Sequence, residues 1–378
     1  YDGTTTATVN LSTNKLTGDA VMASYASASF ADKNVATAKP VGVSGITLSG
    51  ADASNYLFNT IASTTADITA KALTVTATGV NKVYDSTTAA EVNFSINKLA
   101  GDAVTASYAS ASFADKNVAT GKPVSVSGIT LGGADALNYT FNTSASTIAD
   151  ITAKALAVTA TGVNKVYDGT AAATVNLSTD KLAGDAVTAS YASASFADKN
   201  VATGKPVSVS GITLSGADAG NYTFNTTAST TADITAKAMS VTATGVNKVY
   251  DGTAAATVNL STDKLAGDAV TASYASASFA DKNVATGKPV SVSGITLGGA
   301  DALNYTFNTS ASTIADITAK ALAVTATGVN KVYDGTAAAT VNLSTDKLAG
   351  DAVTASYASA SFADKNVATG KPVSVSGI

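Results

Sequence analysis

The residues best suited to chemistry in this sequence are a tyrosine and an aspartate, side by side in a recurring Tyr-Asp-Gly-Thr motif such as residues 167–170. A carboxylate beside a phenol can contact a ligand. An aspartate can also bond its own backbone two residues on, and glycine accepts the left-handed conformation of a tight turn. Tyrosine buries its ring when its hydroxyl finds a partner. We interpret the motif as a structural turn and keep a ligand contact as the alternative.

The motif recurs every 83 residues, so the internal period is the main guide to the architecture. The signature-turn residues that we assign are Tyr1, Asp2, Gly3, Tyr84, Asp85, Tyr167, Asp168, Gly169, Tyr250, Asp251, Gly252, Tyr333, Asp334 and Gly335. The predicted repeats are 1–71, 72–154, 155–237, 238–320 and 321–378, of which the first and the last are truncated. Ser86 stands at the glycine position of the second repeat, so we expect a positive φ there to be helpful and not required.

Most catalytic and metal chemistry is excluded by composition. The 378 residues include no Cys, His or Trp, so the chain has no thiolate nucleophile, no imidazole base and no zinc site of the usual kind. A net charge of −4 argues against nucleic acid and anionic membrane surfaces as partners. A glycosidase-type carboxylate pair is compatible with the spacing, but such clefts usually carry aromatic platforms. We therefore predict that the chain is not an enzyme.

Calcium is the metal that the many aspartates suggest. It takes six to eight oxygen ligands, often from several carboxylates close in sequence. In the third repeat the aspartates are isolated residues, namely Asp168, Asp180, Asp185, Asp198, Asp218 and Asp233. We predict no cofactor and keep calcium at loops or junctions as the alternative. An isopeptide cross-link at Lys199 and Asn200 is also considered, although nothing in the spacing selects it.

β-Strands must position these residues. Leu156 and Val158 alternate with small or polar neighbours, which is the period of a half-buried strand. Pro206 is expected at a strand start. The phase shift at Gly211 indicates a β-bulge or a strand that changes sheet. Six to seven short strands per repeat predict an all-β fold, a tandem array of small Ig-like β-sandwich repeats, with a β-grasp-like unit as the runner-up.

No run of 18 apolar residues occurs, so we predict no membrane insertion by this chain. Because the sequence starts and stops inside repeats, we expect it to be a fragment of a longer protein. No flexible linker separates residues 233–237 from the next repeat, which predicts limited hinge motion.

Four motifs in order carry a family resemblance. They are Lys-Val-Tyr-Asp-Gly-Thr at 165–170, Phe-Ala-Asp-Lys-Asn-Val-Ala-Thr-Gly-Lys-Pro-Val at 196–207, Gly-Ile-Thr-Leu-Ser-Gly-Ala-Asp-Ala-Gly-Asn-Tyr at 211–222, and Ala-Asp-Ile-Thr-Ala-Lys at 232–237. Together they resemble the YDG-type repeat domain of bacterial surface and secreted adhesins, including filamentous haemagglutinin-like exoproteins of two-partner secretion or autotransporter-like type. The resemblance covers the whole chain. Ser86 and Ala38 depart from its glycines, which affects only local turn geometry.

The resemblance implies an extracellular or bacterial cell-surface location and supplies no catalytic residues. We expect a structural stalk or spacer in an adhesin. The alternative is a set of weak glycan- or host-protein-binding repeats that act by avidity. Any host glycan or matrix-protein partner is expected to bind through other parts of the full protein.

Overall fold

The computed structural model describes all 378 residues as short β-strands joined by turns, with four single-turn 3₁₀ segments and no α-helix. The predicted all-β fold of tandem sandwich repeats is therefore confirmed. A β-grasp-like unit needs a helix across its sheet, so that alternative falls. The helical segments are three residues each, so none of them could span a lipid bilayer.

The strands of the first and second repeats are β1 (Met22–Ser24), β2 (Ser27–Phe30), β3 (Ala36–Ser44), β4 (Thr47–Ser49), β5 (Ile61–Ile68), β6 (Lys71–Leu73), β7 (Val75–Val80), β8 (Lys82–Val83), β9 (Glu91–Ile96), β10 (Thr105–Ser107), β11 (Ser110–Phe113), β12 (Ala119–Ser127), β13 (Thr130–Gly132), β14 (Tyr139–Phe141) and β15 (Ser144–Thr152). Those of the third repeat are β16 (Lys154–Leu156), β17 (Val158–Val163), β18 (Lys165–Val166), β19 (Thr174–Thr179), β20 (Thr188–Ser190), β21 (Ser193–Phe196), β22 (Ala202–Ser210), β23 (Thr213–Ser215), β24 (Tyr222–Phe224) and β25 (Thr227–Thr235).

The fourth and fifth repeats contain β26 (Lys237–Met239), β27 (Val241–Val246), β28 (Lys248–Val249), β29 (Thr257–Thr262), β30 (Thr271–Ser273), β31 (Ser276–Phe279), β32 (Ala285–Ser293), β33 (Thr296–Gly298), β34 (Tyr305–Phe307), β35 (Ser310–Thr318), β36 (Val324–Val329), β37 (Thr340–Thr345), β38 (Ser359–Phe362) and β39 (Val373–Ser376). The 3₁₀ segments are Ala53–Asn55, Ala136–Asn138, Ala219–Asn221 and Ala302–Asn304.

The second repeat shows the arrangement. One sheet has the order β11–β12–β15–β8, in which β15 and β8 are parallel and the other pairs antiparallel. The second layer consists of three strand pairs, β7 with β9, β10 with β13, and β6 with β14. The repeat therefore has ten short strands, more than the six to seven predicted, because several predicted strands are each split between two sheets.

The core lies between the two layers and follows the alternation read in the sequence. Val124 and Val126 point inward from β12, and Ile151 joins them from β15, while the residues between them face solvent. Val75 and Leu73 close the core from the other layer. Burying such aliphatic side chains contributes about 1.5–3 kcal/mol each, so a thin core suffices for a small repeat.

The fourth repeat settles two expectations about the long strand. Pro289 is the fifth residue of β32, as Pro206 is of β22, so the expectation of a strand start is wrong. The proline is tolerated because pairing with β31 begins only at Val290, which leaves an edge beside it. After β32 the chain turns at Gly294, with φ +66°, and β33 pairs with β30 in the other layer. A change of sheet thus explains the phase shift.

The chain divides into two compact units. The first comprises Tyr1–Thr159, Leu177–Ala192 and Gly211–Ala228, and the second comprises Ala160–Asn176, Ser193–Ser210 and Ser229–Ile378. The division runs through the third repeat, so part of that repeat groups with the second repeat and part with the fourth. The bounds of the five repeats remain sequence-based predictions.

Candidate functional site at the junctions between repeats

The signature motif forms a tight turn held by its own side chains. Asp168 Oδ1 accepts hydrogen bonds from the Thr170 backbone N–H at 2.9 Å and from the Thr170 hydroxyl at 2.8 Å. Lys165 Nζ donates to the same carboxylate at 2.8 Å and lies over the Phe196 ring. The same bonds between aspartate and threonine recur at Asp2, Asp85, Asp251 and Asp334.

The third position of the turn takes a positive φ in every repeat. Gly169 has φ +79°, and Ser86 has φ +68° although it carries a side chain. Serine thus adopts the left-handed conformation of the glycines, at some cost in backbone strain. That the positive φ is not required stays a prediction. The Ser86 hydroxyl donates to Asp185 Oδ1 at 2.6 Å, which offsets the cost. The only other non-glycine residue with positive φ is Ala38, the second departure from the family pattern.

The tyrosine of the motif points out of its own turn and into the next repeat. Tyr84 is 2% exposed, and its hydroxyl donates to Asp185 Oδ2 at 2.9 Å, 101 residues further along the chain. Tyr222 donates to the same oxygen at 2.7 Å. The two rings meet edge to face with centroids 5.5 Å apart, a geometry that aromatic pairs prefer. The signature tyrosine is thus part of a contact between repeats.

Two further contacts complete this junction. Lys116 Nζ lies 3.0 Å from Asp185 and 2.7 Å from Asp218, and sits over the Tyr84 ring. The Val118 backbone N–H donates to Asn221 Oδ1 at 2.9 Å. We call Tyr84, Lys116 and Val118 the donor face of a repeat, and Asp185, Asp218, Asn221 and Tyr222 the acceptor face of the next.

The same junction is built at equivalent positions elsewhere. Tyr1, Lys33 and Val35 meet Asp102, Asp135, Asn138 and Tyr139, and Tyr167, Lys199 and Val201 meet Asp268, Asp301, Asn304 and Tyr305. Tyr250 and Lys282 meet Asp351. Every signature tyrosine followed by another repeat in the structure therefore bonds an aspartate of that repeat.

Electrostatics keeps the junction ionised. Burial alone raises the pKa of Asp185, but hydrogen bonds from Ser86, Tyr222, Lys116 and Tyr84 outweigh it and hold the pKa well below its usual value. At the preceding junction, Lys33 lowers the pKa of Asp102 to about 2. The lysine pKa shifts the other way, because Asp218 and Asp185 raise that of Lys116.

This protonation pattern stabilises the ion pairs of the junction. A general acid needs a raised carboxyl pKa, and a nucleophilic lysine needs a lowered one. The cross-link considered at Lys199 would require its neutral amine, yet Asp301, Tyr167 and Asp268 raise the Lys199 pKa. The Lys199 ammonium lies 2.9 Å from Asp268 and 2.7 Å from Asp301, between the two carboxylates. No group of three or more acidic side chains is placed to hold a metal.

The acceptor face was not singled out from the sequence. In the sequence Asp185 and Asp218 are simply isolated aspartates, and Lys199 suggests only a cross-link. These residues recur every 83 positions, but so do the residues around them, so the recurrence does not mark them as functional. The sequence assigns Tyr167 and its equivalents to the turn and gives no sign of their partners 101 residues away.

Comparison with known proteins gives three findings. The sequence profile of the YDG domain matches residues 1–66, 69–147, 152–232, 235–313 and 318–378. No curated protein matches the sequence significantly. A crystal structure of Down Syndrome Cell Adhesion Molecule (DSCAM) isoform 1.30.30, N-terminal eight Ig domains, is similar at 8% identity with a TM-score of 0.15. The match covers 83% of this chain and 49% of that one, about half its length.

Proposed function

Because this chain belongs to the YDG domain family through five matched copies, we propose that it is a structural spacer of a bacterial cell-surface or secreted adhesin. In this role the array acts outside the cell and holds a distal binding region away from the surface. The proposal rests on the use of the buried polar groups. Tyr84, Lys116 and Asp185 are all committed to joining one repeat to the next.

Repeated junctions of one kind suit a spacer. Each repeat carries a donor face and an acceptor face, so length can change by whole repeats without any new interface. The role needs neither a cofactor nor a catalytic residue. It is supported by the low pKa of Asp102 and the raised pKa of Lys33, which keep both groups charged and paired.

The test alters the length of the array in the parent adhesin. Removing residues 155–237, one whole repeat, leaves matching faces on the new neighbours. For a spacer, bacterial adhesion falls as repeats are removed and returns when an unrelated array of equal length replaces them. A spacer role is contradicted if adhesion follows the YDG sequence and not the length.

A binding assay distinguishes the spacer role from the alternative, in which the repeats bind a ligand weakly. Chain 1–378 is applied to arrays of glycans and matrix proteins. The spacer predicts no signal above that of an unrelated β-sandwich array. Repeats that bind by avidity predict a signal that rises steeply with the number of repeats. That result would contradict the spacer role and support a binding role.

A further inference from the structure

The second repeat begins and ends with strands that lie side by side. We call residues 71–83, which contain β6, β7 and β8, the entry run, and residues 139–152, which contain β14 and β15, the exit run. β6 pairs with β14 and β8 pairs with β15, and both pairs are parallel. Because the two runs point the same way, the chain enters the repeat at one end of this pair and leaves it at the other end.

Side chains bridge the two runs where the backbone pairing is interrupted. The Asn142 side-chain amide accepts the Val75 backbone N–H at 2.9 Å and donates to the Val75 carbonyl at 3.1 Å, so it takes the place of a strand residue. The Asn81 side chain accepts the Asp150 backbone N–H at 2.7 Å and donates to the Asp150 carboxylate at 3.3 Å. Each asparagine therefore adds two hydrogen bonds between the runs.

The two backbones also approach each other closely between these bridges. The Gly79 N–H donates to the Thr147 hydroxyl at 3.2 Å, and a Cβ added at Gly79 would clash with the Ile148 carbonyl oxygen. Just past the entry run, the Tyr84 N–H donates to the Thr152 carbonyl at 2.8 Å. Hydrogen bonds thus join the two runs from their first residues to their last.

The third and fourth repeats contain the same parallel pairs and the same asparagine bridges. In each of them one asparagine bonds both backbone groups of a valine, and a second asparagine accepts the backbone N–H of an aspartate. These residues are Asn225, Val158, Asn164 and Asp233 in the third repeat and Asn308, Val241, Asn247 and Asp316 in the fourth. The bridged pair of runs is therefore a regular feature of the repeat.

We propose that the paired runs form a mechanical clamp, so that the array bears tension without unfolding. A force that pulls the two ends of a repeat apart slides the exit run along the entry run, because the pulled ends lie at opposite ends of a parallel pair. The hydrogen bonds between the runs then resist the force together. Strands that are pulled apart from one end lose their bonds one after another. Since forced unfolding is governed by the unfolding rate, the clamp slows unfolding under load.

The source of the tension is the proposed spacer role, and in that respect the inference rests on the proposed function. A chain that holds a binding region away from a cell transmits the whole force between the two, because its repeats are joined in series. An 83-residue repeat that unfolded would lengthen the array by about 25 nm, since an extended chain spans about 3.3 Å per residue. The clamp therefore keeps the length of the spacer constant under load.

Single-molecule force spectroscopy of the full chain in two pulling directions tests the clamp. The sequence has no cysteine, so two introduced cysteines define the points of attachment. Thr69→Cys with Ala155→Cys pulls the second repeat along its two runs, and Thr69→Cys with Thr140→Cys pulls the same runs apart from one end. All three positions are exposed. At equal loading rate the first direction should require at least about twice the force of the second, because its hydrogen bonds break together.

A bridge variant shows whether the hydrogen bonds between the runs resist the force. Asn81 is exposed, so Asn81→Ala removes the bonds to Asp150 without changing the core. Along the runs, the unfolding force of the second repeat should fall by about a quarter, because fewer bonds share the load. In the other direction the change should be smaller. Asn93→Ala, at an exposed asparagine of β9 outside both runs, is the matched control and should unfold like the parent chain.

The clamp is overturned if the second repeat unfolds at the same force in both directions. It is also overturned if Asn81→Ala lowers the force equally in both, since Asn81 would then support folding alone. The measurement uses the purified chain without cells, so equal forces would contradict the clamp and leave the length dependence of adhesion untouched. Adhesion that does not depend on array length would contradict the spacer role and leave the measured forces unchanged.

Discussion

Tyr84 and Tyr333 stand in the same motif at equivalent positions, yet Tyr84 is 2% exposed and Tyr333 is 56% exposed. The turn beside each is the same, with the threonine N–H 2.9 Å from the aspartate Oδ1 in both. Tyr84 is covered from two sides: the following repeat supplies Asp185 and Tyr222, and its own repeat supplies Thr152, whose carbonyl accepts the Tyr84 backbone N–H at 2.8 Å. Neither counterpart is among the residues described around Tyr333. The comparison teaches that the motif has two parts: a turn that folds locally, and a tyrosine whose burial comes from residues far along the chain.

The largest expected effect separates these two tyrosines. Tyr84→Ala should destabilise the junction by about 3–5 kcal/mol, because a buried ring is removed and Asp185 loses a donor. Tyr333→Ala, at the exposed equivalent position, should cost less than about 1 kcal/mol. Native-state hydrogen exchange measures both, since it reports local opening. Equal effects at the two sites would contradict a junction role.

A second contrast uses the acceptor carboxylates. Asp185 accepts bonds from Tyr84, Ser86, Lys116 and Tyr222, so Asp185→Ala leaves several groups without their acceptor and should cost about 2–3 kcal/mol. Asp19→Ala removes the acceptor of Tyr56 alone, since no donor face covers Asp19 in this structure, and should cost less than half as much. Denaturant unfolding measures the free energy of unfolding of both variants. A larger loss of stability in Asp19→Ala than in Asp185→Ala would contradict this prediction.

Acid should weaken the junctions. The folded-state pKa of Asp102 is lowered to about 2 by Lys33, against a usual value of 3.8. A lowered pKa contributes stability that is present above pH 3.8 and lost as the pH falls through 2. Melting temperatures of the parent chain and of Asp102→Asn should therefore converge between pH 4 and pH 2. If the difference between the two melting temperatures stays constant over this range, the ionised form of Asp102 is not stabilised by its partners.

The smallest effect concerns a strained turn outside the junction. Ala38 has φ +51°, where the equivalent Gly121 has φ +59°. Ala38→Gly should stabilise the first repeat by about 1 kcal/mol, because glycine adopts this conformation without strain. Ser86→Gly is the matched contrast. It relieves similar strain but loses the bond to Asp185, so its net change should be near zero or unfavourable. Thermal unfolding measures the stability of both variants. An equal gain in stability in both would show that the hydrogen bond from Ser86 to Asp185 does not stabilise the protein.

Local pattern was enough to predict the strands, the turns and the repeat. The alternation around Val207 and Val209 gives the buried face of β22, and the turn at Asp168 follows from an aspartate and a threonine two residues apart. The junction could not be predicted in the same way. Asp180 and Asp185 look alike in sequence, yet Asp185 is buried among hydroxyls and a lysine, while Asp180 is exposed and accepts the Ala157 N–H.

The central claim is that the signature tyrosine acts across the junction. A double-mutant cycle with Tyr84→Phe and Asp185→Asn in the full chain measures it most directly, because phenylalanine keeps the ring and removes only the hydroxyl. We predict a coupling free energy of about 1 kcal/mol or more between the two sites. Additive effects, with a coupling no larger than that of the control pair Tyr333→Phe and Asp185→Asn, would contradict the account.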